Sequence, residues 1–310
     1  MGSTVFFHNG FGDYVIHRGA LSLLASRLDK PTRLIYGEGT HDFLVKDLPF
    51  DVFLPTRIAP PNRGNGRYFD VSAVMDASSP TDTLVNLASW EGPSIERLRA
   101  QLQPARYVWN SDWMTWDERG PNVTEIAYHA VKTAVPDAVI ADLRLPPAFR
   151  PELEHAVDKL LRQLRDQGYA RYVCVHLDSS ESKPWPAPAV ADAVCAVLAR
   201  HADVCVLVIG REDKLPRCPC HGGRVVFLEN LSLEASMCIV SRCSAIVGVD
   251  SCMMKVADQF GLPGAALFAT ARDAVRWGSY WTPFEHIVLT QQDTDVAGRI
   301  FRALLEGLEA

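Results

Sequence analysis

Five short apolar runs, at Tyr172–Leu177, Val204–Ile209, Val225–Leu228, Ala245–Val249 and Ala265–Phe268, recur through the second half of the chain, with segments of helical spacing at 187–201, 232–243 and 251–260 set among them. This rhythm predicts an α/β fold. Parallel strands need long crossovers, the crossover helices pack back on the sheet, and the result is a parallel sheet with helices on both faces.

The first half follows the same scheme less regularly. A β-rich run at Thr4–Asn9 leads through Gly10-Phe11-Gly12-Asp13 into an apolar-periodic stretch at Val15–Leu28, which reads as strand, glycine turn and helix. Further strands are expected at Arg33–Tyr36, Val52–Leu54, Phe69–Met75 and Arg106–Trp109.

A length of 310 residues favours two domains. Leu145-Pro146-Pro147 ends whatever precedes it, and Leu153, Val157, Leu160, Leu161 and Leu164 then mark a helix over Glu152–Gln167. The expected domains are therefore 1–147 and 148–310. The amphipathic stretch Val296–Leu308 predicts a final helix, about 294–310, that crosses back onto the first domain.

Composition narrows the function classes. Apolar residues at 48% and charged residues at 22% allow a sizeable core, and a net charge of −6 without a basic run leaves no footprint for nucleic acid. The N-terminus lacks the pattern of a signal peptide and no segment reaches about 18 continuous apolar residues, so a cytoplasmic protein without a membrane span is expected. Cys174, Cys195, Cys205 and Cys238 fall inside apolar elements and read as free thiols. Cys218-Pro-Cys220-His221 has ligand types that suit zinc or iron, but its spacing fits no common finger, and a rigid loop is the preferred reading.

Sheets of this kind bind ligands beyond the carboxyl ends of their strands, so function is sought in the loops after Leu177, Ile209, Leu228 and Val249. After Leu177 the chain reads Asp178-Ser179-Ser180-Glu181-Ser182-Lys183-Pro184-Trp185-Pro186, where hydroxyls and an ammonium can hold phosphate and a solvated turn is the alternative. Asp250 and Ser251 lie where a buried strand passes into a helix, with one of them as N-cap, and the amides of such a junction attract anions. Asp13 is suited to general-base work or to capping the helix that follows. Trp109, Trp113 and Trp116 are suited to stack on a sugar or an aromatic aglycone, with core packing as the alternative.

In this order, Gly12-Asp13, Leu145-Pro146, Lys183-Pro184-Trp185-Pro186, Leu231-Ser232-Leu233-Glu234 and Val249-Asp250-Ser251 resemble the ADP-heptose:lipopolysaccharide heptosyltransferase family over most of the chain. The resemblance implies a GT-B fold, two Rossmann-like domains with a cleft between them, the first binding acceptor and the second a nucleotide-sugar. It implies Asp13 as general base, Lys183 against phosphate, Asp250 and Ser251 cradling the diphosphate, Ser179 near it, Glu212 near the nucleoside, and Leu231 against the base. Gly12, Cys252 and Met253 join this donor set by position. Where the family has glycine and then histidine, this chain has Cys252 and Lys255, and Lys255 offers compensating charge to the leaving group. Arg57 and Arg63 stand for the acceptor-facing basic stretch, which is thin and suits a less anionic acceptor.

The reading that follows is an inverting, metal-independent glycosyltransferase without a cofactor. It takes a sugar from a nucleotide diphosphate donor, an ADP-sugar by preference, to an acceptor hydroxyl on a small molecule, glycan or protein. The alternatives are a nucleotide-sugar epimerase or hydrolase on the same fold, and a non-catalytic nucleotide-sugar-binding protein.

Overall fold

The computed structural model describes residues 2–38, 42–56, 80–88, 92–114, 120–176, 186–210, 223–289 and 294–309. They divide into two compact units, Met1–Ala148 and Phe149–Ala310.

The first unit runs β1 (Gly2–Phe7), α1 (Phe11–Arg27), β2 (Thr32–Gly37), α2 (Asp42–Val45), β3 (Val52–Thr56), β4 (Thr81–Asn86), α3 (Pro93–Leu102), β5 (Arg106–Trp109) and α4 (Val123–Ala134). Its strands form one parallel sheet in the order β3-β2-β1-β4-β5. The chain builds outward from β1 on one side, then returns to β1's other edge at β4, so the order reverses between β1 and β4. On one face Phe6, Ile35 and Leu84 pack under Ile95, Leu98 and Leu102 of α3. Tyr14, Leu21 and Leu24 of α1 are buried as well. Helix α1 also buries charge: the Arg18 guanidinium donates to both Asp47 carboxylate oxygens at 2.9 and 2.7 Å and to the Leu44 carbonyl at 2.6 Å. Gly19 passes the 3-10 turn Ile140–Leu143 so closely that a Cβ would stand 2.2 Å from the Leu143 carbonyl oxygen. The strand expected at Phe69–Met75 lies outside the described residues.

The second unit runs α5 (Pro151–Asp166), β6 (Arg171–His176), α6 (Ala187–Arg200), β7 (Val204–Ile209), β8 (Val225–Leu228), α7 (Leu233–Val240), β9 (Ala245–Val249), α8 (Cys252–Phe260), β10 (Gly264–Phe268), α9 (Ala271–Trp277), β11 (Glu285–Val288) and α10 (Val296–Glu309). This sheet is also wholly parallel, in the order β11-β10-β9-β6-β7-β8, and its order reverses between β6 and β9. Strand residues alternate between faces. Val173, Val175, Val206, Val247 and Leu267 meet α6 and α10 on one face. The intervening residues, Cys174 and His176 on β6 among them, point to the other face, where the Tyr172 hydroxyl donates to the Leu161 carbonyl of α5 at 2.8 Å.

The apolar side of α10 packs within the second unit, where Ile300, Ala303, Leu304 and Leu308 join the core against β9, β10, β11 and α6. Helix α1 starts at Phe11, four residues before Val15, because Gly10 takes the N-cap position. Of these cysteines, Cys174, Cys205 and Cys238 are buried free thiols and Cys195 is half-buried. Among the described residues no helix is long and apolar enough to cross a membrane.

Candidate functional site

In a doubly wound sheet, the crossovers on either side of the reversal point leave in opposite directions and open a crevice at the carboxyl ends of the two strands that flank it. In the second unit those strands are β6 and β9. Strand β6 ends at His176, which pairs in register with Gly248 of β9. The approach is close: a Cβ on Gly248 would lie 2.9 Å from the His176 carbonyl oxygen and 3.0 Å from the Met254 sulfur. Two residues later the chain leaves the sheet through Asp250 and Ser251 and enters α8.

Ser251 is the N-cap of α8, in extended conformation, yet its hydroxyl caps no helix amide. It lies instead 3.1 Å from Nδ1 of His176, across the reversal point. Asp250 is half-buried, with its Oδ1 3.0 Å from Nζ of Lys255 in the first turn of α8. Lys255 is itself buried, donates to the Trp277 carbonyl, and holds its ammonium 5.9 Å from the centroid of the Phe268 ring. Its charge is thus directed at Asp250 and at α9.

A cavity of about 410 Å³ opens at these strand ends, lined by His176, Ile209, Leu228, Leu231, Cys252 and Met253, with Asn230 and Ser236 as further polar groups. Asn230 takes a left-handed conformation, φ 55°, which turns the chain after β8 and presents Leu231, 37% exposed, at the cavity. Ser232 then caps α7, its hydroxyl accepting the Ala235 amide at 3.2 Å. An apolar slot that meets a helix N-terminus suits a flat hydrophobic group carrying an anion.

The structure thus brings Leu231, Cys252 and Met253 of the expected donor set to one cavity, with Ser251 and Asp250 adjoining through the chain. Ser179, Lys183 and Glu212 lie outside the described residues, as do Cys218, Cys220 and His221. The sequence reading missed His176, Ile209, Leu228, Asn230 and Ser236. Their signal was available, since four of the five lie at or just beyond the carboxyl ends of strands already recognised.

In the first unit the order reverses between β1 and β4, and Asp13 follows β1. Asp13 is the third residue of α1 rather than its N-cap, and its Oδ2 accepts the Gly10 amide at 3.1 Å. That bond satisfies one of the helix's early amides and explains why the helix begins before the aspartate. Gly12 is the second residue of the same turn. Tyr14 ties this turn to the sheet, donating to the Phe7 carbonyl and accepting the Gly37 amide, both at 2.8 Å, and burial raises its phenol well above the ordinary value. His17 lies one turn on from Asp13. Because a carbonyl only accepts, its Nδ1 carries the proton donated to the Asp13 carbonyl at 2.8 Å. Burial lowers this imidazole to about 4, and its ring packs 4.6 Å from that of Phe7.

Of the expected acceptor residues, Trp109 ends β5 with its indole N–H donating to the Ala88 carbonyl at 3.2 Å, and Trp113 stacks on His129 of α4 at 6.3 Å. Arg57, Arg63 and Trp116 lie outside the described residues. Among the described residues no cluster of three or more His, Cys, Asp or Glu side chains is arranged to hold a metal ion.

Two doubly wound units of this kind in one chain define the GT-B architecture, and solved structures share it. A glycosyl transferase family 9 protein from Veillonella parvula DSM 2008 superposes with a TM-score of 0.73 at 13% identity, over 99% of this chain and 97% of that one. The E. coli heptosyltransferase WaaC, solved with ADP, gives 0.63 at 12% over 98% and 99%, and E. coli ADP-heptose lps heptosyltransferase II gives 0.61 at 13% over both chains entire. No protein-family model and no curated protein matches the sequence.

Proposed function

We propose that the protein is a glycosyltransferase that uses a nucleotide diphosphate sugar, with an ADP-sugar of the heptose type as favoured donor. The observation that carries the reading is the cavity at the reversal point of the second sheet. There the apolar side chains of Ile209, Leu228, Leu231 and Met253 adjoin the N-terminus of α8. A base fits the apolar part, and the helix amides and Ser251 suit the diphosphate. The preference for adenine is supported by the likeness to a heptosyltransferase solved with ADP.

In this reading the acceptor hydroxyl attacks C1 of the sugar as its proton passes to the carboxylate of Asp13, and the C1–oxygen bond to the diphosphate breaks with inversion. The departing diphosphate is met by Lys183, Ser179 and the amides at Ser251 and Cys252, so that no metal is needed. Glu212 contacts the nucleoside; Arg57, Arg63, Trp109, Trp113 and Trp116 serve the acceptor. The reaction would take place in the cytoplasm.

The test is a thermal-shift panel of ADP, GDP, UDP and dTDP with and without magnesium. A ligand at 100 times its Kd adds about 2.7 kcal/mol of stability. A magnesium-independent shift by ADP alone is expected. A shift by none of the four would sink the donor assignment and leave a fold without this chemistry.

A further inference from the structure

We propose that His176 is a positioning residue that acts through Ser251: by donating its Nδ1 proton to the serine oxygen, it turns the serine hydroxyl proton toward an anion seated at the N-terminus of α8. The proposal rests on the donor reading above only in taking that anion to be a diphosphate.

A serine at the N-cap ordinarily accepts an amide of its own helix. Ser251 has the N-cap position and the extended backbone but makes no such bond, and its oxygen lies 3.1 Å from Nδ1 of His176 instead. A hydroxyl has one proton and two lone pairs, so the state of that nitrogen decides what the oxygen shows to the cavity. If Nδ1 is bare, Ser251 gives its proton to the imidazole and presents only lone pairs, which repel an anion. If Nδ1 bears the proton, the bond runs the other way and the serine O–H is left to donate. The identity of the protonated ring nitrogen is set by the bonds around the ring, and an anion that takes up the serine proton selects the second state.

The surroundings fit a device of this kind. His176 is 5% exposed and lines the cavity, so its ring is held in place. Its strand pairs with β9 at Gly248, where any side chain would press on the His176 carbonyl and on Met254. The nearby carboxylate of Asp250, which would oppose an anion, is turned onto Lys255 at 3.0 Å. The histidine thereby joins the two strands that flank the reversal point to the helix that starts there.

Calorimetric titration of the full-length protein with inorganic pyrophosphate and with ADP tests this, using His176→Leu, His176→Asn, Ser251→Ala and the Leu/Ala double variant. Asparagine places an amide nitrogen where Nδ1 lies, whereas leucine fills the space without a donor. His176→Leu and Ser251→Ala should each weaken pyrophosphate by about tenfold, the loss expected for one hydrogen bond to a charged group. The double variant should be no weaker than Ser251→Ala alone, and His176→Asn should bind like the parent. Parental binding by His176→Leu, additive losses in the double variant, or failure of the parent to bind pyrophosphate would each overturn the proposal. Pyrophosphate bound without any advantage for ADP would instead overturn the nucleotide reading and leave the relay standing. Should His176→Leu not fold, the 15N shifts of His176 in the parent decide: a protonated Nδ1 in the presence of pyrophosphate supports the relay, and a bare one ends it.

Discussion

Nζ of Lys255 lies 3.0 Å from Oδ1 of Asp250, and the lysine side chain is 7% exposed against 16% for the aspartate. A charge held this way belongs to the fold before it belongs to any ligand. Lys255→Met should therefore destabilise the protein by about 3 kcal/mol, the lower end for breaking a buried pair, because it removes the charge set against the Asp250 carboxylate inside the fold. Adding Asp250→Asn should recover part of the loss. Urea denaturation of the three variants measures it, and an unchanged midpoint for Lys255→Met with a large loss of ADP binding would restore the lysine to the ligand.

Asp13→Asn separates capping from chemistry. The amide oxygen can still accept the Gly10 N–H that Asp13 now accepts at 3.1 Å, so α1 should start where it does. A neutral amide cannot take the acceptor's proton, and transfer should fall at least ~100-fold while ADP binds as before. Retained transfer in this variant would remove Asp13 from the proposed mechanism.

Turnover orders two further variants. Lys183→Ala should reduce it more than Asp250→Asn, since in the proposed mechanism the lysine meets the departing diphosphate and the aspartate is engaged with Lys255. Equal turnover would deny Lys183 that role.

Acid should find His17 first. Its imidazole is lowered to about 4 by burial, below the ordinary value near 6.5. Between those two values the unfolded chain binds a proton that the folded one refuses, so stability is intact above about pH 6.5 and falls as pH drops toward 4. The loss across that window is on the order of 3 kcal/mol. His286, lowered chiefly by burial and next by the charge of Lys255, acts in the same direction. Stability measured from pH 7 to pH 4 should decline less in His17→Gln than in the parent, and parallel curves would contradict the assignment.

The sheet of the second unit was legible because Val204–Ile209 and Ala245–Val249 carry almost nothing but apolar side chains, and the structure keeps both bounds. Strand β4 was not expected, and its residues Thr81, Asp82, Thr83 and Asn86 explain why. Their polarity is met locally: Thr81 shares a hydrogen bond with Thr4 at 2.8 Å, and Asn86 accepts the Ala88 amide at 3.0 Å while donating to Tyr107 at 3.2 Å. Strand β11 was hidden for a related reason, since Glu285 pairs with Arg299 and His286 accepts from Ser279. A composition reading cannot see partners that arrive from elsewhere in the chain. The same limit applies to the site. Ser251 was found by its place before a helix, but the histidine 3.1 Å from its hydroxyl oxygen stands 75 residues earlier, and only the reversal of strand order brings them together.

The cavity walls come from strand ends, helix starts and the turn at Asn230, whereas the sheet's own packing is carried by residues such as Val173, Val206 and Val247. Exchanges at Leu231, which is exposed, or at Cys252, which is half-buried, therefore leave that interior untouched, whereas Met253 is itself buried. A lineage built this way can try new substrates at little risk to its scaffold, and an engineer can randomise Leu231 and Cys252 in one library without first stabilising the parent.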